Sequence, residues 1–234
     1  MIEEIEFETY LYVSKTKFQI FVFDKINKKN LYNEYFKLNE QFNFQDFTKL
    51  SKFLDENIYK IEKSVGNFIK NTNLIIKDND NLHVNISIKK KNYNNFLNQK
   101  YLENNLTELK DLFKENYQEQ TIMHMIVNSY IIDGKNYSSF VKDLISDNLC
   151  LEVNFISISK KLSIIFEKLL AKYQIKVSRY LCGNYINEYF GNDERELSIK
   201  ANKLINGLNE NEVLLVPKNI ENKGFFERFF QLFS

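Results

Sequence analysis

Thr9-Tyr-Leu-Tyr-Val-Ser-Lys-Thr-Lys-Phe-Gln-Ile-Phe-Val-Phe-Asp24 is the stretch on which the fold reading turns. Residues 9–13 and 18–24 are β-branched and aromatic, and Ser14-Lys15-Thr16 joins them, which predicts a β-hairpin near the start of the chain. A third short run, 31–38, follows the polar turn 27–30. Beyond it Phe47, Leu50, Leu54, Ile58, Ile61, Val65, Phe68 and Ile69 recur at three- and four-residue steps, the period of an amphipathic helix, with Asp46 as its N-cap. Leu82, Val84, Ile86 and Ile88 then alternate with polar residues and mark a half-buried strand.

The remainder alternates. Apolar periodicity predicts helices over 101–117, 159–173 and 197–208, and strands over 122–132, 149–158, 175–181 and 213–216. Cys182-Gly183 leads into an aromatic segment, 185–190. No repeat and no low-complexity block interrupts the order. The pattern predicts a mixed α/β (α+β) fold.

The bulk composition removes several function classes. An apolar share of 44% beside 27% charged residues is that of an ordinary globule, long enough for one large domain or two small ones. A formal net charge of +1 argues against a polyanion binder driven by counterion release. The cations are nearly all lysine, with arginine at Arg179, Arg195 and Arg228, so bidentate reading of phosphates or bases is disfavoured and no nucleic-acid partner is expected. Cys150 and Cys182 sit in apolar stretches, which predicts buried thiols in a reducing cytoplasm. Residues 2–8 are acidic and lack the apolar core of a signal peptide. No run approaches the ~18 apolar residues of a membrane-spanning helix.

The chain closes on Gly224-Phe-Phe-Glu-Arg-Phe-Phe-Gln-Leu-Phe-Ser234. On a helical wheel Phe225, Phe226, Phe229, Phe230, Leu232 and Phe233 crowd into an arc of roughly 160°, with Glu227, Arg228 and Gln231 opposite. Such a helix reaches only about 15 Å, too short to span a bilayer, but it suits an anchor lying at the membrane surface. Docking on the protein's own core or in a partner's groove satisfies the same apolar face. These six residues are the candidate membrane-binding site.

Chemistry-bearing clusters are sparse. His83 and His124 lie far apart and no Cys-x-x-Cys spacing exists, so no metal site is expected. No serine sits in a Gly-x-Ser-x-Gly turn, and each histidine falls on an expected strand, in a structural role. The six glycines are scattered singly, leaving no loop to cradle a phosphate. Asn192-Asp193-Glu194-Arg195-Glu196 fits a solvated helix start, and Lys89-Lys90-Lys91 a solvated strand end. No catalytic residue, cofactor or metal is therefore expected; Lys17, His124 and Asp133 are the polar groups to watch should a site assemble in an oligomer.

The order of elements resembles the first half of the FtsA family, actin-like bacterial cell-division proteins, in truncated form. That family opens with a hairpin, a third strand, a long helix and a strand, then inserts a small subdomain. Ile122-Met-His-Met-Ile-Val-Asn-Ser-Tyr-Ile-Ile-Asp-Gly134, Leu151-Glu-Val-Asn-Phe-Ile-Ser157 and Tyr173-Gln-Ile-Lys-Val177 are similar to strands and an exit segment of that insert. Gly224–Phe233 resembles the family's closing amphipathic helix. The resemblance implies an actin-like half-domain over 1–99, an inserted interaction subdomain of strand-helix-strand type over 100–182, a return over 183–216, a linker over 217–223 and the amphipathic helix over 224–234.

Two departures decide what is carried over. Tyr12-Val-Ser-Lys-Thr-Lys17 stands where the family's first phosphate loop reads acidic-Ile-Gly-Thr-x-Lys, so the acid has become Tyr12 and the glycine Ser14. A tyrosine cannot orient a hydrated magnesium ion, and Ser14 brings a Cβ where backbone must approach phosphate. The second actin-like domain has no counterpart. What remains is a non-catalytic cell-division adaptor without nucleotide, peripheral on the cytoplasmic side of the inner membrane. Its expected partners are FtsZ-like or other divisome proteins and the membrane surface, with a homo-oligomer also open. The alternatives are an ATPase assembled in an oligomer and a cytosolic scaffold whose tail docks on a protein.

Overall fold

The computed structural model describes residues 6–214, so Phe225, Phe226, Phe229, Phe230, Leu232 and Phe233 lie outside the described residues. In chain order the elements are β1 (Phe7–Ser14), β2 (Lys17–Asp24), β3 (Lys29–Lys37), α1 (Thr48–Val65), β4 (Asn71–Lys77), β5 (Leu82–Phe96) and α2 (Gln99–Asn116). There follow β6 (Gln120–Ile132), β7 (Lys135–Tyr137), β8 (Ile145–Ser159), α3 (Lys160–Ala171), β9 (Lys176–Cys182), α4 (Gly183–Phe190) and α5 (Leu197–Ile205). Mixed α/β is therefore the fold class, with two sheets and five helices among the described residues. Hairpin, third strand and long helix come in the order that the sequence resemblance implied, but the strand expected next, Leu82 to Ile88, is β5 of the second sheet, and β4 takes its place in the first.

Two compact units divide the chain: Met1–Asn81 with Ser159–Leu204, and Leu82–Ile158 with Ile205–Ser234. The first holds a five-stranded sheet in the order β3-β2-β1-β4-β9. β1 and β2 pair antiparallel, as do β2 and β3, whereas β4 runs parallel to β1 and β9 parallel to β4. Its core is dense with aromatic and branched side chains: Leu11, Val13, Phe18, Ile20, Leu74, Ile75 and Ile76 are all at most 1% exposed. α1 buries Leu50, Phe53, Leu54, Ile58 and Ile61 and ends at Gly66, which adopts the left-handed conformation (φ 71°) that favours glycine. Asp46 is not its N-cap. Phe47 holds that position, packing its ring on Phe42 and Phe166, while Asp46 accepts from the backbone N–H and hydroxyl of Thr48.

The second unit is a four-stranded sheet, β5-β8-β6-β7, with α2 contributing to the same core. Leu102, Leu106, Leu109 and Phe113 of α2 bury against Met125, Val127, Leu151, Val153 and Phe155. Phe113 stacks between Tyr117 and Phe155, at 5.0 and 4.6 Å between centroids. Val213 joins this core too, because residues 209–214 return to β6: Val127 N–H donates to Asn211 O and Val213 N–H to Met125 O, both at 2.8 Å.

These units differ from the boundaries expected for the insert, 100–182. β5 pairs along its length with β8, so the second unit begins at Leu82. α3 and β9 return to the first unit, because β9 completes its sheet beside β4. The second unit holds β5, α2, β6, β7 and β8, more than a strand, a helix and a strand. Cys182 is buried as expected, but Cys150 is only half-buried.

Candidate binding surfaces

In the first unit the parallel strands β1, β4 and β9 end together at Ser14, Lys77 and Cys182. Strand carboxyl ends of this kind are where α/β sheets generally take ligands. Here the hairpin is closed on itself. Ser14 Oγ accepts from the N–H groups of Thr16 (3.3 Å) and Lys17 (2.9 Å) and donates to Lys17 O (3.0 Å). The backbone donors that a bound anion would need are thereby taken by the protein's own side chain.

Lys15 is equally committed. Its ammonium lies 3.0 Å from the buried carboxylate of Asp78 and 3.7 Å from Asp80, and the Asp78 contact holds its pKa above the ordinary lysine value. Lys17 donates to Gln19 Oε1 at 2.7 Å, with its ammonium 5.3 Å from the centre of the Tyr12 ring. Burial raises the pKa of Tyr12. Asn184, second residue of α4, donates to Asp78 O at 3.0 Å and so ties β9 and α4 to the end of β4.

Lys17 belongs to the first unit, and His124 and Asp133 to the second. Each of those two has a local structural task. Buried His124 Nδ1 lies 2.6 Å from Glu212 Oε1, reinforcing the β-bridge between Ile126 and Glu212. Asp133 accepts from the backbone N–H groups of Asp147 and Asn148, tying the turn between β6 and β7 to β8. Among the described residues no group of three or more His, Cys, Asp or Glu side chains is arranged to hold a metal ion.

The second unit contains a pocket of about 290 Å³. Leu102, Leu106, Val127, Tyr130, Phe140 and Val213 make its apolar walls, and Lys142 and Glu210 stand among its polar residues. Tyr130 and Phe140 lie 6.0 Å apart between ring centres, and burial pushes the Tyr130 hydroxyl pKa upward. Mostly apolar walls with a few polar groups suit an apolar group, whether of a small molecule or of a partner's side chain. Sequence reading did not find this pocket. Its walls come from α2, β6, the loop after β7 and residues 210–213, which only the fold brings together.

No protein-family description matches the chain, and no curated protein matches it. Several solved structures are similar, three of which follow. The first is the cytoplasmic domain of EpsL, an inner-membrane component of the type II secretion system of Vibrio cholerae: 8% identity, TM-score 0.37, covering 76% of this chain and 57% of that one. A second is a Bacteroides thetaiotaomicron protein with an actin-like ATPase fold and unknown function, with 16% identity, TM-score 0.32 and coverage of 81% and 58%. The third is a PilM–PilN type IV pilus biogenesis complex, with 8% identity, TM-score 0.46 and coverage of 78% and 49%. This chain thus spans about half the length of each. None of the three is described as a cell-division protein.

Proposed function

We propose that this chain is a non-catalytic adaptor whose folded units bind protein partners and whose C-terminal segment brings them to a membrane surface. The observation that supports it is the closed hairpin: Ser14 fills the β1–β2 turn and Lys15 is paired with Asp78, so the strand ends are structural. The mostly apolar pocket of the second unit adds a place for a partner side chain. The resemblance to the FtsA family supplies the finer form of the proposal, in which the partners are division-ring proteins. Among the described residues no helix is long and apolar enough to cross a membrane; in this proposal the aromatic tail makes the attachment. Each fully buried Phe contributes roughly 1.5–3 kcal/mol, only part of it realised at an interface, so one copy binds weakly and several copies bind through avidity.

Two measurements test the proposal. Calorimetry with magnesium and ATP is expected to give no binding heat; saturable binding lost in Lys17→Ala would favour the ATPase reading. Flotation with anionic liposomes is expected to be weak and to collapse in the Phe226→Glu, Phe230→Glu double variant. Equal flotation by that variant removes the membrane role.

A further inference from the structure

One face of the five-stranded sheet carries a line of lysines without acidic partners. Lys17 of β2 lies directly opposite Lys37 of β3, and Ser14 of β1 is in register with Lys77 of β4. One step beyond Val13 and Phe18, the β1–β2 register sets Ser14 opposite Lys17. Paired residues share a face of a sheet, so Lys37, Lys17, Ser14 and Lys77 form a row across four strands. It is the face away from α1, because Phe53 of that helix packs on Phe18, whose side chain points the other way from Lys17. Lys37 and Lys77 are exposed, and Lys17 is half-buried.

Among the described residues, none of the three lysines lies within ion-pair distance of a carboxylate. Asp78 and Asp80, which follow Lys77 in the chain, are taken by Lys15. Lys17 and Lys37 are thus like charges directly opposite each other, an arrangement that costs a sheet stability. Burial first, and then Lys37 and Lys77, hold the Lys17 pKa below its ordinary value. At the end of the row α4 starts at Gly183 beside Lys77, with no side-chain cap from Cys182, so its positive end faces the same strand terminus. Gln19 and the Tyr12 ring meet Lys17, and the Tyr35 ring meets Lys37, but no carboxylate offsets the like charges, and a charge cost kept in this way marks a surface shaped for something other than stability.

We infer that the row Lys37, Lys17 and Lys77 docks an acidic segment of a protein partner, a step that rests on the adaptor reading and names the chemistry of one partner. The spacing favours an extended chain of carboxylates over a single phosphate. Three inter-strand gaps of about 4.8 Å carry the row across roughly 14 Å. In an extended peptide alternate side chains stand about 6.7 Å apart, so acids at three alternate positions span about 13 Å. The N–H groups that would wrap a compact anion already bond to Ser14. Tyr35, 55% exposed and opposite Gln19 one step down the same face, offers an aromatic surface to a neighbouring residue of the segment.

The test uses the full chain and a fluorescein-labelled peptide with Asp at alternate positions, against the same peptide with Asn for Asp. Fluorescence anisotropy at low salt is expected to show saturable binding of the Asp peptide alone, weakening as salt rises. The Lys17→Gln, Lys37→Gln, Lys77→Gln triple variant is expected to lose about tenfold in affinity, near twofold per lysine. A control triple variant, Lys52→Gln, Lys60→Gln, Lys63→Gln, removes the same charge from α1 and is expected to bind as the unaltered chain does. Equal loss in both variants, no loss in the first, or tighter binding of tripolyphosphate or an oligonucleotide at the row overturns the inference. The nucleotide and liposome measurements read the other parts of the adaptor proposal, so the two fail separately.

Discussion

At Gly183, the first residue of α4, an added β-carbon would stand 3.0 Å from Cβ of Lys77 and 3.4 Å from the carbonyl oxygen of Ile76. Both are fixed atoms of a central strand, so neither yields as a flexible side-chain end would. Gly183→Ala is expected to cost about 1–3 kcal/mol by overpacking and to lower the melting temperature in a thermal scan. An unchanged melting temperature would mean that α4 shifts freely on the sheet. Asp193 makes a different kind of local statement. The Arg195 side chain and backbone N–H hold its carboxylate, bringing its pKa down to about 2 from the ordinary 3.8. A carboxyl whose folded pKa lies below its unfolded one stabilises the fold above the higher value and loses that contribution as pH falls through the lower. Its contribution is therefore whole at neutral pH and fades between about pH 4 and 2. Side-chain carbon NMR is expected to place the Asp193 midpoint near the lower end of that window, and Arg195→Gln to return it toward 4.

The long edge strand β5 shows how an element departs from its pattern. Its register with β8 shifts between Lys91 and Asn95, and within the gap Tyr93 and Asn94 both take positive φ, 51° and 56°. Buried Asn92 holds the bulge by donating to Asn95 O at 2.6 Å and to Ser146 Oγ at 3.3 Å, while Asn95 donates back to Asn92 O at 2.8 Å. Asn92→Ala removes both bonds from under two strained residues and is expected to cost about 1–3 kcal/mol. Hydrogen exchange is the readout, with faster exchange at residues 91–96 than in the rest of the sheet; uniform rates would show that the bulge supports itself. The alternating half of the strand, Leu82 to Ile88, was legible in sequence, whereas the bulge was not, because it rests on side-chain bonds of Asn92 and Asn95 and on Ser146 across the ladder, which leave no apolar pattern. β4 was missed for the opposite reason. Thr72-Asn-Leu-Ile-Ile76 is buried on both faces between β1 and β9, so it shows no alternation by which a strand is recognised. Missing β4 displaced the expected insert, since the strand assigned to the first sheet belongs to the second. The lysine row was hidden with it. Lys17 stood out in sequence, but Lys37 and Lys77 join it only through the register of three other strands.

At the scale of the molecule the chain passes between units three times, at Asn81, Ile158 and Leu204, and each unit keeps its own apolar core. Residues 209–214 are bound to β6, so the path to the aromatic tail leaves from the second unit. If the tail is held at a membrane as proposed, force on it would reach β6 first, through the Asn211 and Val213 hydrogen bonds. Separate cores imply separable stabilities, because local opening follows the contacts of each cooperative unit. Phe113 is 0% exposed and stacks on Phe155 and Tyr117, all within the second unit. Phe113→Ala is expected to remove about 3–5 kcal/mol from that core alone. Exchange measured by mass spectrometry should then rise across β6, β8 and α2 while β1 and β4 keep their protection. Residues 11–13 and 74–76 are the decisive reporters, lying in the centre of the first sheet. An equal fall in protection there would make the two units one cooperative structure, and the tail would then pull on both at once.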